Sequence, residues 1–265
     1  MQLINIEYGY MEKTLSQTWN GWVALSEFTS SALLVLLVFM TSKLVDTYMK
    51  QNHFAKSLTK SAFWGVSGLL AIIIGMEISN IASPGDGLAL MTLPFAIVKC
   101  IEVWKFNALP VIIFFQLLGG IIGGLIAIWF EKILTYTVKE STLGDNLFIN
   151  NDSYKFSAYK STLFQFLIVI LLVLVSTFTF TGTTDNLSFY FGLICLSLAI
   201  SFLFMLSSQS GWFMLSPWIS VAGMINAVIF KKFKIRHLYN FGIELSIQQA
   251  YAITIAMIFH FIVVA

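Results

Sequence analysis

Two polar side chains stand inside apolar runs at matching places. Glu27 interrupts the run Val23–Met40, and Gln165 lies near the start of the run Leu163–Phe180. An ionisable group within a membrane span is a functional candidate by default. A buried carboxylate or amide can also satisfy backbone N–H groups of a loop that enters the membrane. The third feature is Ser216-Pro217, inside the apolar stretch Ser207–Phe230. Serine is a good N-cap and proline suits the first helical position, so the pair reads as a helix start at membrane depth, followed by a helix too short to cross. Irregular backbone survives there only when buried in protein or lining a cavity, so a helix start of this kind implies an internal site.

Groups that could do covalent chemistry are missing from this pattern. No nucleophile–base pair, metal-ligand spacing or phosphate-cradling glycine loop is present, so neither an enzyme, a metal site nor a cofactor is expected. Cys100 and Cys195 form no CxxC or Cys/His group and read as buried free thiols. His260 stands alone on an apolar run and reads as a hydrogen-bonded core residue, while Glu77 lies near a span end where its head can reach water.

The elements that must position these residues are membrane helices. Of 265 residues, 58% are hydrophobic and 11% charged, with mean hydropathy +0.84. A soluble domain carries about 25% charged residues, so this is an integral membrane protein. Nothing resembles a nucleic-acid patch, and the formal net charge is +2. Residues 1–21 lack the pattern of a removable signal peptide, so the first apolar run is expected to be retained. The basic residues are lysines apart from Arg236, a composition consistent with an AT-rich bacterial genome and a bacterial cell membrane.

The apolar runs follow the order long, long, short, long, and then repeat it. The first set is Val23–Met40, Ala62–Met76, Leu88–Val98 and Ala108–Phe130, with Lys99, Glu102 and Lys105 expected to mark a surface after the short segment. The second set is Leu163–Phe180, Leu187–Leu206, the segment after Ser216-Pro217, and Ile247–Ala265. Three spans per half is odd, so the second half enters from the opposite side. The expectation is one all-α membrane domain with a first repeat over about 22–130, a central loop over about 131–161 and a second repeat over about 162–265. Gly119, Gly120, Gly123 and Gly124 form overlapping small-xxx-small pairs that allow close helix packing.

The chain resembles the major intrinsic proteins, the aquaporin and glycerol-facilitator superfamily. The resemblance rests on Ser26-Glu27-Phe28 at the first span, the Gln116 to Gly124 run, and Phe191-Gly192 through Ser210-Gly211 to Ser216-Pro217. It implies six transmembrane helices plus two re-entrant half-helices in an inverted repeat, a homotetramer in the lipid bilayer, and a role for Glu27 in accepting hydrogen bonds from the re-entrant loop backbone, which Gln165 is expected to fill without charge in the second repeat. In that family each half-helix opens with Asn-Pro-Ala, whose Asn amides face the permeating solute. Here the second motif is Ser216-Pro217-Trp218. The first falls at Met91-Thr92-Leu93 when counted back from Gln116, or at Leu93-Pro94-Phe95 when prolines are matched, and neither supplies an Asn. The selectivity-filter arginine is replaced by Ile219, and two further filter positions are Phe204 and Phe213.

Apolar residues at those positions cannot replace the hydration a polar solute loses, which costs about 2–7 kcal/mol per unpaired group. The expectation is an aquaporin-like channel with a divergent apolar pore. It would pass small uncharged or weakly polar solutes or gases and conduct water and glycerol poorly. The alternative is a non-conducting structural or interaction protein that retains the fold. Orientation carries a conflict. The resemblance places both termini in the cytoplasm. Yet the loops after the first span, at the centre and after the second half-helix carry twelve of the fifteen basic residues, which places those loops in the cytoplasm instead.

Overall fold

The computed structural model describes residues 12–49, 53–81, 89–134, 158–179, 195, 197–203, 205, 216–229 and 233–263. Its helices are α1 (Gly21–Tyr48), α2 (His53–Asn80), α3 (Leu93–Glu102), α4 (Leu109–Leu134), α5 (Ala158–Thr179), α6 (Pro217–Ile229) and α7 (Ile235–Val263). Residues 12–16 and 197–203 are also helical. Among the described residues, four stretches, Gly21–Asp46, Ala55–Asn80, Leu109–Phe130 and Phe241–Phe261, are long and apolar enough to cross a membrane. At 1.5 Å per residue, α3 reaches only about half, and α6 about two-thirds, of a hydrocarbon core about 30 Å thick.

Local chemistry sets the helix starts. Asn20 caps α1, its side-chain oxygen accepting from the N–H groups of Trp22 at 3.0 Å and Val23 at 3.3 Å. Pro110 sits in the first turn of α4, where its missing N–H costs no helical bond. The lysines expected in a linker after the first span are instead helical: Lys60, and Lys56 beside it, pair with Asp46 of α1, Lys60 at 2.8 Å. That pairing lets α2 begin well before the apolar run.

Close contact between α1 and α4 depends on glycine. A Cβ at Gly119 would strike the carbonyl oxygen of Phe28, and one at Gly123 would strike that of Ala32. The other two glycines face α6, where a Cβ at Gly120 or Gly124 would lie 2.6 Å from the Cβ of Trp218 or Ala222. One helix thus receives two neighbours through alternate glycines.

The two halves pack in exchanged pairs. Helix α6 lies against α4 and touches α1 and α7, while α3 lies against α7 and touches α5 and α4. Within halves, α1 packs on α4 as α5 packs on α7. Each short helix is therefore held chiefly by the last long helix of the other half.

Three boundaries differ from the sequence expectation. The first short helix covers Leu93–Glu102, later than the apolar run Leu88–Val98. Lys99 and Glu102 do not mark a surface: they are 3% and 4% exposed and pair with each other at 2.6 Å, which lets α3 continue past its apolar segment. Lys105 does lie at a surface, 3.2 Å from Glu12. The last helix begins at Ile235, twelve residues before the apolar run at Ile247, and so brings Glu244 into the fold interior.

Candidate functional site

The starts of α3 and α6 are buried inside the fold. Thr92 is the N-cap residue of α3, with extended backbone and no capping bond from its side chain, and Pro94 follows in the first turn. By helix start, Thr92-Leu93-Pro94 corresponds to Ser216-Pro217-Trp218, a register between the two that sequence counting offers. Both N-cap positions hold hydroxyl residues that are buried, Thr92 at 2% exposure and Ser216 at 0%.

The chain reaches Thr92 through a bend at Met91, whose φ of 48° lies in the left-handed region that costs a non-glycine residue energy. The surroundings hold this bend in place. The Met91 N–H donates to Glu27 Oε2 at 2.9 Å, and the Met91 carbonyl accepts from Ser31 Oγ at 2.9 Å. The N–H of the preceding Leu90 donates to Glu27 Oε1 at 2.6 Å. Glu27 is fully buried on α1, and its carboxylate takes the backbone donors of both Leu90 and Met91.

A side-chain relay then joins this loop to the other half-helix. Gln116 Nε2 on α4 donates to Glu27 Oε2 at 2.8 Å, and the Trp218 indole N–H on α6 donates to Gln116 Oε1 at 3.0 Å. The Gln116 orientation follows from its neighbours. An indole can only donate, so Oε1 must face Trp218 and Nε2 must face Glu27. Glu27, Gln116 and Trp218 are 0%, 0% and 6% exposed, which makes the relay a buried hydrogen-bonded network.

The other sequence-derived candidates fall as follows. Leu93 and Pro94 are buried in the first turn of α3, and Pro217 and Ile219 in that of α6. The Trp218 N–H is committed to Gln116, and its Cβ packs on α4 at Gly120. Gln165 is fully buried on α5. Phe204 and Phe213 lie outside the described residues, as do the loop at 206–215 and most of the central loop. His260 is not a core residue: it is partly exposed and stacks on Trp104, with ring centroids 5.5 Å apart. Cys100 is buried and Cys195 half-buried, and both are free thiols. Glu77 is exposed.

Sequence reasoning missed Glu244 and Gln248, both fully buried on α7. The basic segment before α7 read as a loop that ended any span. A better signal was available in the four-residue spacing of Gln248, Ala252 and Ala256, which mirrors Gln116, Gly120 and Gly124 and extends back to Glu244.

No protein-family model matches the chain, and no curated protein matches it by sequence. Among solved structures, the chain is similar to the X-ray structure of the aquaglyceroporin from Plasmodium falciparum, with TM-score 0.61 and 13% identity over 90% of this chain and 95% of that one. At that identity the likeness concerns the fold. The chain is an all-α, multi-pass membrane protein with an aquaporin-like fold.

Proposed function

We propose that the chain is a membrane channel whose central constriction is apolar and which passes small uncharged or weakly polar solutes or gases, with poor conduction of water and glycerol. The observation that supports this reading is the pair of short helices starting inside the protein, with Thr92 and Ser216 at their N-caps and Ile219 buried one turn further on. Helix N-termini carry partial positive charge, so two of them at the centre disfavour cations. Phe204, Phe213 and Ile219 provide the apolar narrowing, which a water column leaves by dewetting. Glu27 and Gln165 support the entering loops. The two repeats form one domain, and the protein assembles as a homotetramer in a bacterial cell membrane.

The test is flux in proteoliposomes. The parent protein should raise permeability to a small uncharged solute above protein-free vesicles while leaving water permeability close to theirs. Phe204→Gly with Phe213→Gly should then open a water path. Water flow in the parent at the level of an ordinary water channel would overturn the apolar constriction. A parent silent to every solute, with flux only after the double substitution, would identify a non-conducting protein that retains the fold.

A further inference from the structure

A pair of lysines shares one carboxylate where two spans end. Asp46 is the last residue of the stretch Gly21–Asp46, and Lys60 lies inside the stretch Ala55–Asn80, about 8 Å along α2 from its start. Lys56 and Lys60 both pair with Asp46, Lys60 at 2.8 Å. One turn deeper, the Trp64 indole N–H donates to Ser42 Oγ at 2.8 Å, so α1 and α2 are joined at two successive levels. These bonds hold the lysine heads in one place: the side chains of Lys60 and Asp46 are 12% exposed and that of Lys56 28%.

Two ammonium groups on one carboxylate leave a positive charge in excess. Among the described residues, the charges acting on Lys60 are those of Asp46 and Lys56. Excess charge at the edge of the hydrocarbon is costly without a counter-charge, and the counter-charge that a bilayer supplies at this depth is lipid phosphate. The lipid-facing side of α2 continues the match. Phe63 and Leu70 follow Lys56 at intervals of seven residues, which return a helix to within about 20° of the same face. They are 48% and 45% exposed, with Val66 also exposed beside them. From Lys56 to Leu70 is about 21 Å along the helix, close to half of a bilayer about 40–45 Å thick with its headgroups. We propose that Lys56 and Lys60 bind the phosphate of an anionic phospholipid whose acyl chain lies along Phe63, Val66 and Leu70. A zwitterionic lipid brings its own ammonium group to the same lysines and is disfavoured. The site lies on the outer face of α2 and does not depend on what the channel passes.

Native mass spectrometry of the full chain tests this, with dioleoylphosphatidylglycerol and dioleoylphosphatidylcholine supplied equally in detergent. The parent should retain the anionic lipid over the zwitterionic one by about fivefold, the effect of one lysine near a charged membrane surface. Lys56→Gln leaves Lys60 on Asp46, so the corner stays joined while its excess charge is gone, and the two lipids should be retained equally. Lys56→Arg keeps the charge and should keep the preference, as should Lys105→Gln at the opposite end of the bundle. Equal retention by the parent, an unchanged preference in Lys56→Gln, or loss of preference in Lys105→Gln would overturn the lipid site. Displacement of bound phosphatidylglycerol by an equal concentration of free glycerol 3-phosphate would also overturn it, in favour of a site for soluble anions.

Discussion

Replacing Glu27 by glutamine tests the centre of the fold with a change of almost no volume. Each carboxylate oxygen of Glu27 faces a different backbone N–H, Oε1 that of Leu90 at 2.6 Å and Oε2 that of Met91 at 2.9 Å. A glutamine has one oxygen, so whichever way its amide turns, an NH2 group meets one of those donors. Turning Gln116 cannot relieve this, because the Trp218 indole fixes its oxygen. The variant loses one hydrogen bond to a charged group and leaves a buried N–H unpartnered, while the remaining bonds become neutral. Together these changes should destabilise by about 3–5 kcal/mol. At about 2–4 °C per kcal/mol for a chain of this size, the melting midpoint in detergent should fall by about 10 °C. Because Met91 is held at positive φ by the same bonds, protease cleavage near residues 89–92 should also rise in the variant. A midpoint within about 2 °C of the parent would show that Glu27 does not hold the loop in the way the geometry requires.

Other changes test neighbouring parts of the account. Trp218→Phe should cost about 1–3 kcal/mol by orphaning Gln116 Oε1. A double-mutant cycle with Gln116→Leu, read by thermal unfolding, should give a coupling of about 1 kcal/mol or more, and additive effects would contradict the relay. Gly123→Ala drives a methyl group into the Ala32 carbonyl and should abolish the folded peak in size-exclusion chromatography, whereas Gly21→Ala, with open space around it, should elute as the parent does. Lys99→Met leaves Glu102 as a buried charge and should destabilise by about 3–5 kcal/mol, more than Lys99→Met with Glu102→Met, as compared by their melting midpoints. For orientation, the charge bias predicts that cysteine placed at Lys50 is labelled only after permeabilisation and cysteine at Lys105 in intact cells. The reverse pattern would favour the orientation implied by the family resemblance.

The sequence carries the fold because its signals are those of lipid burial: long apolar runs, a helix start inside one of them, and four glycines whose spacing suits two neighbours. The first short helix was harder to place, because its start depends on a left-handed Met91 and a Thr92 N-cap, neither of which has a distinctive sequence pattern. Lys99 and Glu102 read as surface residues because charge in a membrane protein normally reaches water, and the fold instead buries them as a pair on α3. Glu244 escaped for a related reason. A carboxylate shortly after a basic segment looks like the end of a loop until α7 is seen to begin at Ile235. The relay through Trp218 could not be read from spacing, since it joins residues from opposite halves of the chain.

The most direct test of the channel reading is stopped-flow measurement, on one preparation of proteoliposomes, of water permeability and of uptake of a small uncharged solute. The account predicts solute uptake well above protein-free vesicles together with water permeability near the protein-free level. Water permeability raised many-fold would contradict it.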